Sequence, residues 1–194
     1  MTSWNVAACL VALTVGGGSW ASSSERVGTG LAQAPVSRPP VQFYVDPKPL
    51  ADFATTTIDG QPFRSVDLRG KVLLINFWAT WCPPCVTEVP DLVRLQAKYD
   101  GRLVVLGISD DHGQVDIVKT FAAAKQVNYP LVMNTRALAA SFPGLLGLPT
   151  TYVVDQQGRI VQRHVGQLNM ARTEAEVQAL LALSGAGSGK PGGL

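Results

Sequence analysis

Residues 71–85 read KVLLINFWATWCPPC, and this stretch decides the fold. Lys71 to Ala79 is the most apolar run of the chain and shows no polar alternation. It reads as a strand buried on both faces, the pattern of a sheet covered by helices on either side. From Pro84 onward the periodicity changes. Val86, Val89, Leu92, Val93 and the segment Gln96 to Tyr99 recur at three- and four-residue spacing until Asp100-Gly101, which predicts a helix with Pro90 inside it. Cys82 and Cys85 therefore fall where a strand hands over to a helix. There, unpaired backbone N–H groups and the positive end of the helix dipole favour a thiolate. A thiolate attacks a disulfide, and a second thiol one turn along can resolve the mixed disulfide.

Outward from this stretch, Leu103 to Ser109 is a second strand buried on both faces, followed by a helix over Val115 to Lys125. A short strand Leu131 to Met133 and a short helix Arg136 to Phe142 come next. Thr150 to Asp155 and Arg159 to Val165, joined by Gln156-Gln157-Gly158, read as a hairpin, and Ala171 to Leu183 as a closing helix. Upstream, Asp52 to Thr57 and Gln61-Pro62-Phe63 flank the turn signal Asp59-Gly60 and predict another hairpin. The order β–β–β–α–β–α–β–α–β–β–α predicts a mixed sheet with helices on both faces.

The ends have a different character. Val6 to Val15 is an apolar run of ten, too short for the roughly 20 residues of a spanning helix. With Ser19-Trp20-Ala21 as a small-x-small site, residues 1–21 read as a signal peptide or an uncleaved anchor. Residues 22–40, rich in Ser, Gly, Ala and Pro, read as a flexible linker. Residues 41–183 form the folded domain in this reading, and 184–194 a disordered Gly-rich tail. Across 194 residues the composition is 46% hydrophobic and 15% charged, enough to bury a core. A net charge of +2 with no dense Lys/Arg patch excludes an electrostatic nucleic-acid partner. Of the three cysteines, Cys9 lies in the N-terminal apolar segment. The remaining close pair is a redox motif rather than a disulfide framework.

Asn76 to Cys85, followed by Glu88 and Pro90, resembles the active-site segment of thioredoxin-fold proteins. Gly147 to Asp155 resembles their cis-proline loop and the strand after it. With Asp59-Gly60 and Leu68-Arg69-Gly70-Lys71 upstream, the pattern is most similar to the TlpA/ResA branch of exported thiol–disulfide oxidoreductases. The resemblance spans about Pro49 to Leu183. It implies a thioredoxin-like α/β fold, with a mixed central sheet, helices on both faces and an N-terminal β-hairpin extension. It also implies reduction of disulfides in exported proteins, such as apocytochrome c or copper-site thiols, by a domain kept reduced by a membrane thiol electron donor. A monomer located outside the cytoplasmic membrane or in the periplasm is expected, without cofactor. Two departures stand out. Asn76 occupies the place of a buried Asp in thioredoxin itself. Thr150 stands where the cytochrome-maturation protein CcmG tends to carry an acidic residue.

Cys82 is expected to be the nucleophile, with its thiol held below the ordinary range by the helix start. Cys85, one turn deeper, is expected to be the resolving thiol. Pro83 and Pro84 suit a first helical turn but delete donors that could stabilise the thiolate, which predicts a less oxidising pair. Glu88, three residues past Cys85 on the same helical face, is a candidate proton acceptor if it is desolvated; otherwise it is a helix-surface glutamate. Pro149 is expected to be cis, exposing the backbone of Leu148 for strand-like pairing with a substrate, and Trp81, Leu148, Pro149 and Thr150 are the candidate substrate-binding residues. Two other functions are open to this sequence. Two thiols suit a Cu(I)-binding module, but a copper chaperone of the Sco type spaces its cysteines by three residues and adds a histidine. A thiol peroxidase of the AhpC/TSA type needs Thr and Pro where Ala79 and Ile75 stand. His112 and His164 lie far apart along the chain, so no metal site is expected.

Overall fold

The computed structural model of the protein describes residues 41–185, with the side chains of 184 and 185 excepted. The expected signal segment, the linker and most of the expected tail lie outside the described residues. At the tail's start, Ser184 and Gly185 continue the last helix.

The element that organises the domain is β4 (Val72–Trp78), every residue of which is buried. On either side of it lie β7 (Thr150–Val154), antiparallel to it, and β5 (Leu103–Ser109), parallel to it. β6 (Leu131–Met133) adds in parallel beyond β5, and β8 (Arg159–Val165) adds antiparallel beyond β7. An outer strand of nine residues, β1 (Val41–Pro49), closes the six-stranded order β1-β8-β7-β4-β5-β6. The hairpin β2 (Ala54–Thr56) and β3 (Pro62–Arg64) forms its own two-stranded sheet and leads into a 3₁₀ turn over Ser65–Leu68.

Two cores follow from the period-two alternation of β4. Val72, Leu74 and Trp78 point to the face covered by α1 (Pro83–Lys98), α2 (Val115–Ala124) and α4 (Met170–Gly185), where they meet Leu92, Leu95, Val118 and Val177. Both parallel crossovers, β4–α1–β5 and β5–α2–β6, deliver their helices to this same side, as their shared hand requires. Leu73, Ile75 and Phe77 point to the other face and pack with Leu138 of α3 (Arg136–Ala140), Phe142, Phe63 and Leu50. There Phe77 meets Phe142 and Tyr152 edge-on, with centroids 5.0 and 6.0 Å away. Gly107 of β5 is required by packing: a Cβ there would overlap the Leu131 side chain and stand 3.0 Å from Trp78 Nε1.

β1 is absent from the expectation drawn from sequence. It is an edge strand, mostly exposed and irregular between Phe43 and Lys48, and it carries Pro47 and Pro49. Prolines and charges such as Asp46 and Lys48 are what an edge tolerates and a central strand does not. The opposite edge is covered too. Thr57, past β2, bridges Val132, and the Ile58 N–H donates to Leu131 O at 2.9 Å.

Candidate active site

The parallel register Trp78↔Ser109 places the chain segments leaving β4 and β5 side by side. This is the carboxyl-end edge of the sheet, where α/β proteins assemble their sites. The segment leaving β4 turns through Ala79–Cys82, with the Cys82 N–H on Ala79 O at 3.3 Å. The segment leaving β5 supplies Asp111, a buried carboxylate that accepts from the Thr80 N–H at 3.1 Å, the Thr80 hydroxyl at 2.5 Å and the Ser109 hydroxyl at 2.6 Å. Asp111 thus ties down the residues immediately before the cysteines.

Cys82 is the N-cap of α1, in extended conformation, with Pro83 and Pro84 at the first two helical positions. Proline suits these positions because their N–H groups have no intrahelical partner. Cys82 and Cys85 are joined by a disulfide with Cα atoms 5.3 Å apart, so the structure holds the oxidised form. Both sulfur-bearing side chains are buried, Cys85 completely.

Glu88 follows one turn later and is only 1% exposed, not on the helix surface. Its carboxylate is held from two sides. Oε1 accepts from Asn76 Nδ2 at 2.7 Å and Oε2 from the Leu168 N–H at 3.1 Å. Burial pushes its pKa up to about 7, more than the two hydrogen bonds pull it down. Asn76 Nδ2 also donates to Thr151 Oγ1 at 2.9 Å. A carboxyl that titrates near neutrality, three residues past a buried thiol, can take up and return a proton under working conditions.

The Leu148–Pro149 peptide bond is cis. The antiparallel pair Phe77↔Thr150 brings Pro149 beside Trp78, close to the turn that carries Cys82. Leu148 is half-buried, while Trp81 is 61% exposed and Leu146 64% exposed, giving the rim of the site an apolar surface. Thr150 differs from the expectation of a substrate-touching residue. Its side chain is fully buried and its hydroxyl donates to Gly147 O at 2.7 Å, so it shapes the loop from within. Trp78 belongs to the core and stacks at a tilt on Phe121, 5.1 Å between centroids.

Further supports went unread in the sequence. Arg163 of β8 donates through Nη1 to Gly144 O at 2.7 Å and Pro143 O at 3.2 Å, and through Nη2 to Gln42 Oε1 of β1 at 2.7 Å. The Tyr152 hydroxyl donates to Pro143 O at 2.9 Å. Together they fix the approach to the cis-proline loop. Asp111 had a readable signal, since it follows the end of the strand predicted over Leu103 to Ser109, where α/β sheets place their sites; Arg163 had none. Among the described residues no group of three or more His, Cys, Asp or Glu is placed to hold a metal ion. His112 is exposed, and His164 is buried with Nε2 2.9 Å from Glu176 Oε2.

The chain is similar to known proteins in sequence and in fold. The thioredoxin-like protein YneN of Bacillus subtilis (strain 168) is 31% identical over 128 residues, covering 65% of this chain and 75% of that protein. The thiol-disulfide oxidoreductase ResA of Bacillus thuringiensis (strain Al Hakam) is 29% identical over 134 residues, covering 69% and 77%. A crystal structure of a thiol:disulfide interchange protein of the thioredoxin family from Chlorobium tepidum TLS superposes with a TM-score of 0.66 at 34% identity, covering 71% of this chain and 99% of that one. The model of the AhpC/TSA family matches residues 47–163, from the end of β1 to Arg163. The chain belongs to the AhpC/TSA family, among its thioredoxin-fold thiol–disulfide oxidoreductases.

Proposed function

We propose that the protein reduces disulfide bonds in exported proteins, such as apocytochrome c or copper-site proteins, through Cys82 and Cys85. The observation that carries this reading is the buried Glu88 carboxyl, one turn past the buried Cys85 and with a pKa near neutrality. In the reduced protein the Cys82 thiolate attacks one sulfur of a substrate disulfide. A Cys82–substrate disulfide forms, and the other substrate sulfur leaves as a thiolate and takes a proton. Glu88 accepts the proton of Cys85, whose thiolate attacks Cys82 Sγ. The Cys82–Cys85 bond forms and the second substrate thiolate departs, taking the proton back. Two electrons have then moved from the protein to the substrate, with one proton passed from Cys85 by way of Glu88 and the other taken from solvent, to which Cys82 had lost its own on ionising. A membrane thiol donor returns the pair to the dithiol state.

Trp81 and the backbone of Leu148, beside cis Pro149, receive the substrate chain in strand-like pairing. Export follows from residues 1–21 as signal or anchor, with 22–40 as spacer and the domain acting as a monomer. The peroxidase reading is disfavoured by Ala79, which is fully buried and has no hydroxyl, and by the Thr80 hydroxyl, which is committed to Asp111.

A trapping experiment tests the proposal. Cys85→Ser removes the resolving thiol, so Cys82 should remain covalently linked to exported cysteine-containing proteins, released by reductant and identifiable by mass spectrometry. Absence of any Cys82-linked protein, with Cys82 still open to alkylation, would overturn it.

A further inference from the structure

The carboxylate of Glu88 is gripped by groups from two separate parts of the chain, and they differ in kind. Leu168 offers a backbone N–H, which no side-chain change alters. Asn76 offers a side-chain amide, whose two ends have nearly the same shape and opposite polarity. Its Nδ2 carries two hydrogens, and both are engaged, one on Glu88 Oε1 at 2.7 Å and one on Thr151 Oγ1 at 2.9 Å. All three side chains are buried, so water does not substitute for a lost partner at this point.

We propose that Asn76 is a positioning residue of the exchange reaction, which acts through Glu88 by presenting a donor to its carboxylate and so setting the pH at which that carboxyl holds a proton. The inference rests on the reading of Glu88 as the group that serves Cys85. A donor at 2.7 Å favours the ionised carboxylate, and burial opposes it. The balance between them decides whether Glu88 is an acceptor or a donor of protons at neutral pH. An aliphatic side chain at position 76 removes the first influence and leaves the second. A carboxyl at position 76 places two acids within hydrogen-bond distance in a buried site, where they cannot both ionise easily.

The surroundings of Glu88 contain little else that could set its proton affinity. β4 contributes Asn76, β7 contributes Thr151, and the segment before α4 contributes the Leu168 N–H. Before β6 stands the Tyr129 phenol, whose pKa is pushed up by burial first and by the charge of Glu88 second. On α1 itself Cys85 stands three residues before Glu88. Among the described residues no ion pair forms at Glu88, so no Lys or Arg competes with the amide for control.

The experiment follows the Glu88 carboxyl directly, by carbon-13 NMR titration of the full-length oxidised protein, beside the pH profile of thiol alkylation in the reduced protein. Asn76→Leu should raise the Glu88 midpoint by about 1 to 2 pH units and move the acid limb of the alkylation profile with it. Asn76→Asp, close to isosteric and kept as the second variant should the leucine form fail to fold, should titrate in two steps, with the later one above the wild-type midpoint. An unchanged Glu88 midpoint in either folded variant would overturn the proposal. Glu88→Gln separates this from failure of the underlying reading. If that variant leaves the alkylation profile unaltered while Asn76→Leu still moves the Glu88 midpoint, Glu88 does not serve Cys85 and the amide's hold on the carboxyl stands alone.

Discussion

Replacing Glu88 by Gln should make the oxidised protein less sensitive to rising pH. In the folded chain the carboxyl titrates at about 7, against an ordinary glutamate value of 4.5. A carboxyl with a raised pKa binds its proton more tightly in the folded state. Its contribution is therefore intact below about pH 4.5 and is lost as pH rises through about 7. One pH unit between two midpoints corresponds to about 1.4 kcal/mol, so the cost of ionising Glu88 grows by about 2.5 kcal/mol between pH 5 and pH 8. Urea unfolding of wild type and Glu88→Gln at both pH values measures it, with the disulfide intact so that neither thiol titrates. His164 contributes with the opposite sign. Burial lowers its pKa, so its share of stability is lost as pH falls, but it is present in both proteins and cancels in the difference. Wild type should lose about 2.5 kcal/mol relative to the variant between pH 5 and pH 8. A relative loss below about 0.5 kcal/mol would refute the assignment of a desolvated, neutral-range carboxyl at this position.

Asp111→Ala leaves the Thr80 N–H and the Thr80 and Ser109 hydroxyls without their acceptor. It should cost about 2 to 4 kcal/mol in urea unfolding and slow alkylation of reduced Cys82, as the turn before that residue loosens. An unaltered alkylation rate would show that the turn holds its shape without the carboxylate. Gly144→Ala puts a Cβ at φ +69° and against the Arg163 guanidinium. It should destabilise by about 1 to 3 kcal/mol and weaken binding of disulfide substrates, seen as a raised KM, because the approach to the cis-proline loop is displaced. A KM equal to wild type with stability lost would confine Arg163 to a structural role.

Much of the sheet is legible in the sequence because its central strands are apolar on both faces. β4 and β5 announce themselves in this way, and β7 and β8 through the turn that joins them. β1 escapes because an edge strand is free of the demand that makes central strands readable: it exposes Phe43 and Val45, tolerates two prolines and needs no alternation. The site divides similarly. Cys82 caps the helix that carries Cys85 and Glu88, so their spacing is local and visible. The grip of Asn76 on Glu88 joins residues twelve apart through a strand and a helix start, and that of Leu168 joins residues eighty apart. Such contacts depend on which elements pack together, which helical periodicity does not encode. Arg163 is the extreme case, a buried cation whose partners are backbone carbonyls and an amide 121 positions away.

The long reach between Glu88 and Leu168 has a consequence for the order in which the protein comes into being. During synthesis Cys82 and Cys85 emerge first, with Asn76 already made, but the amide N–H that caps the other carboxylate oxygen arrives eighty residues later, just ahead of the final helix. A nascent chain that has not reached residue 168 thus carries both cysteines and Asn76 but leaves Glu88 Oε2 without its backbone donor.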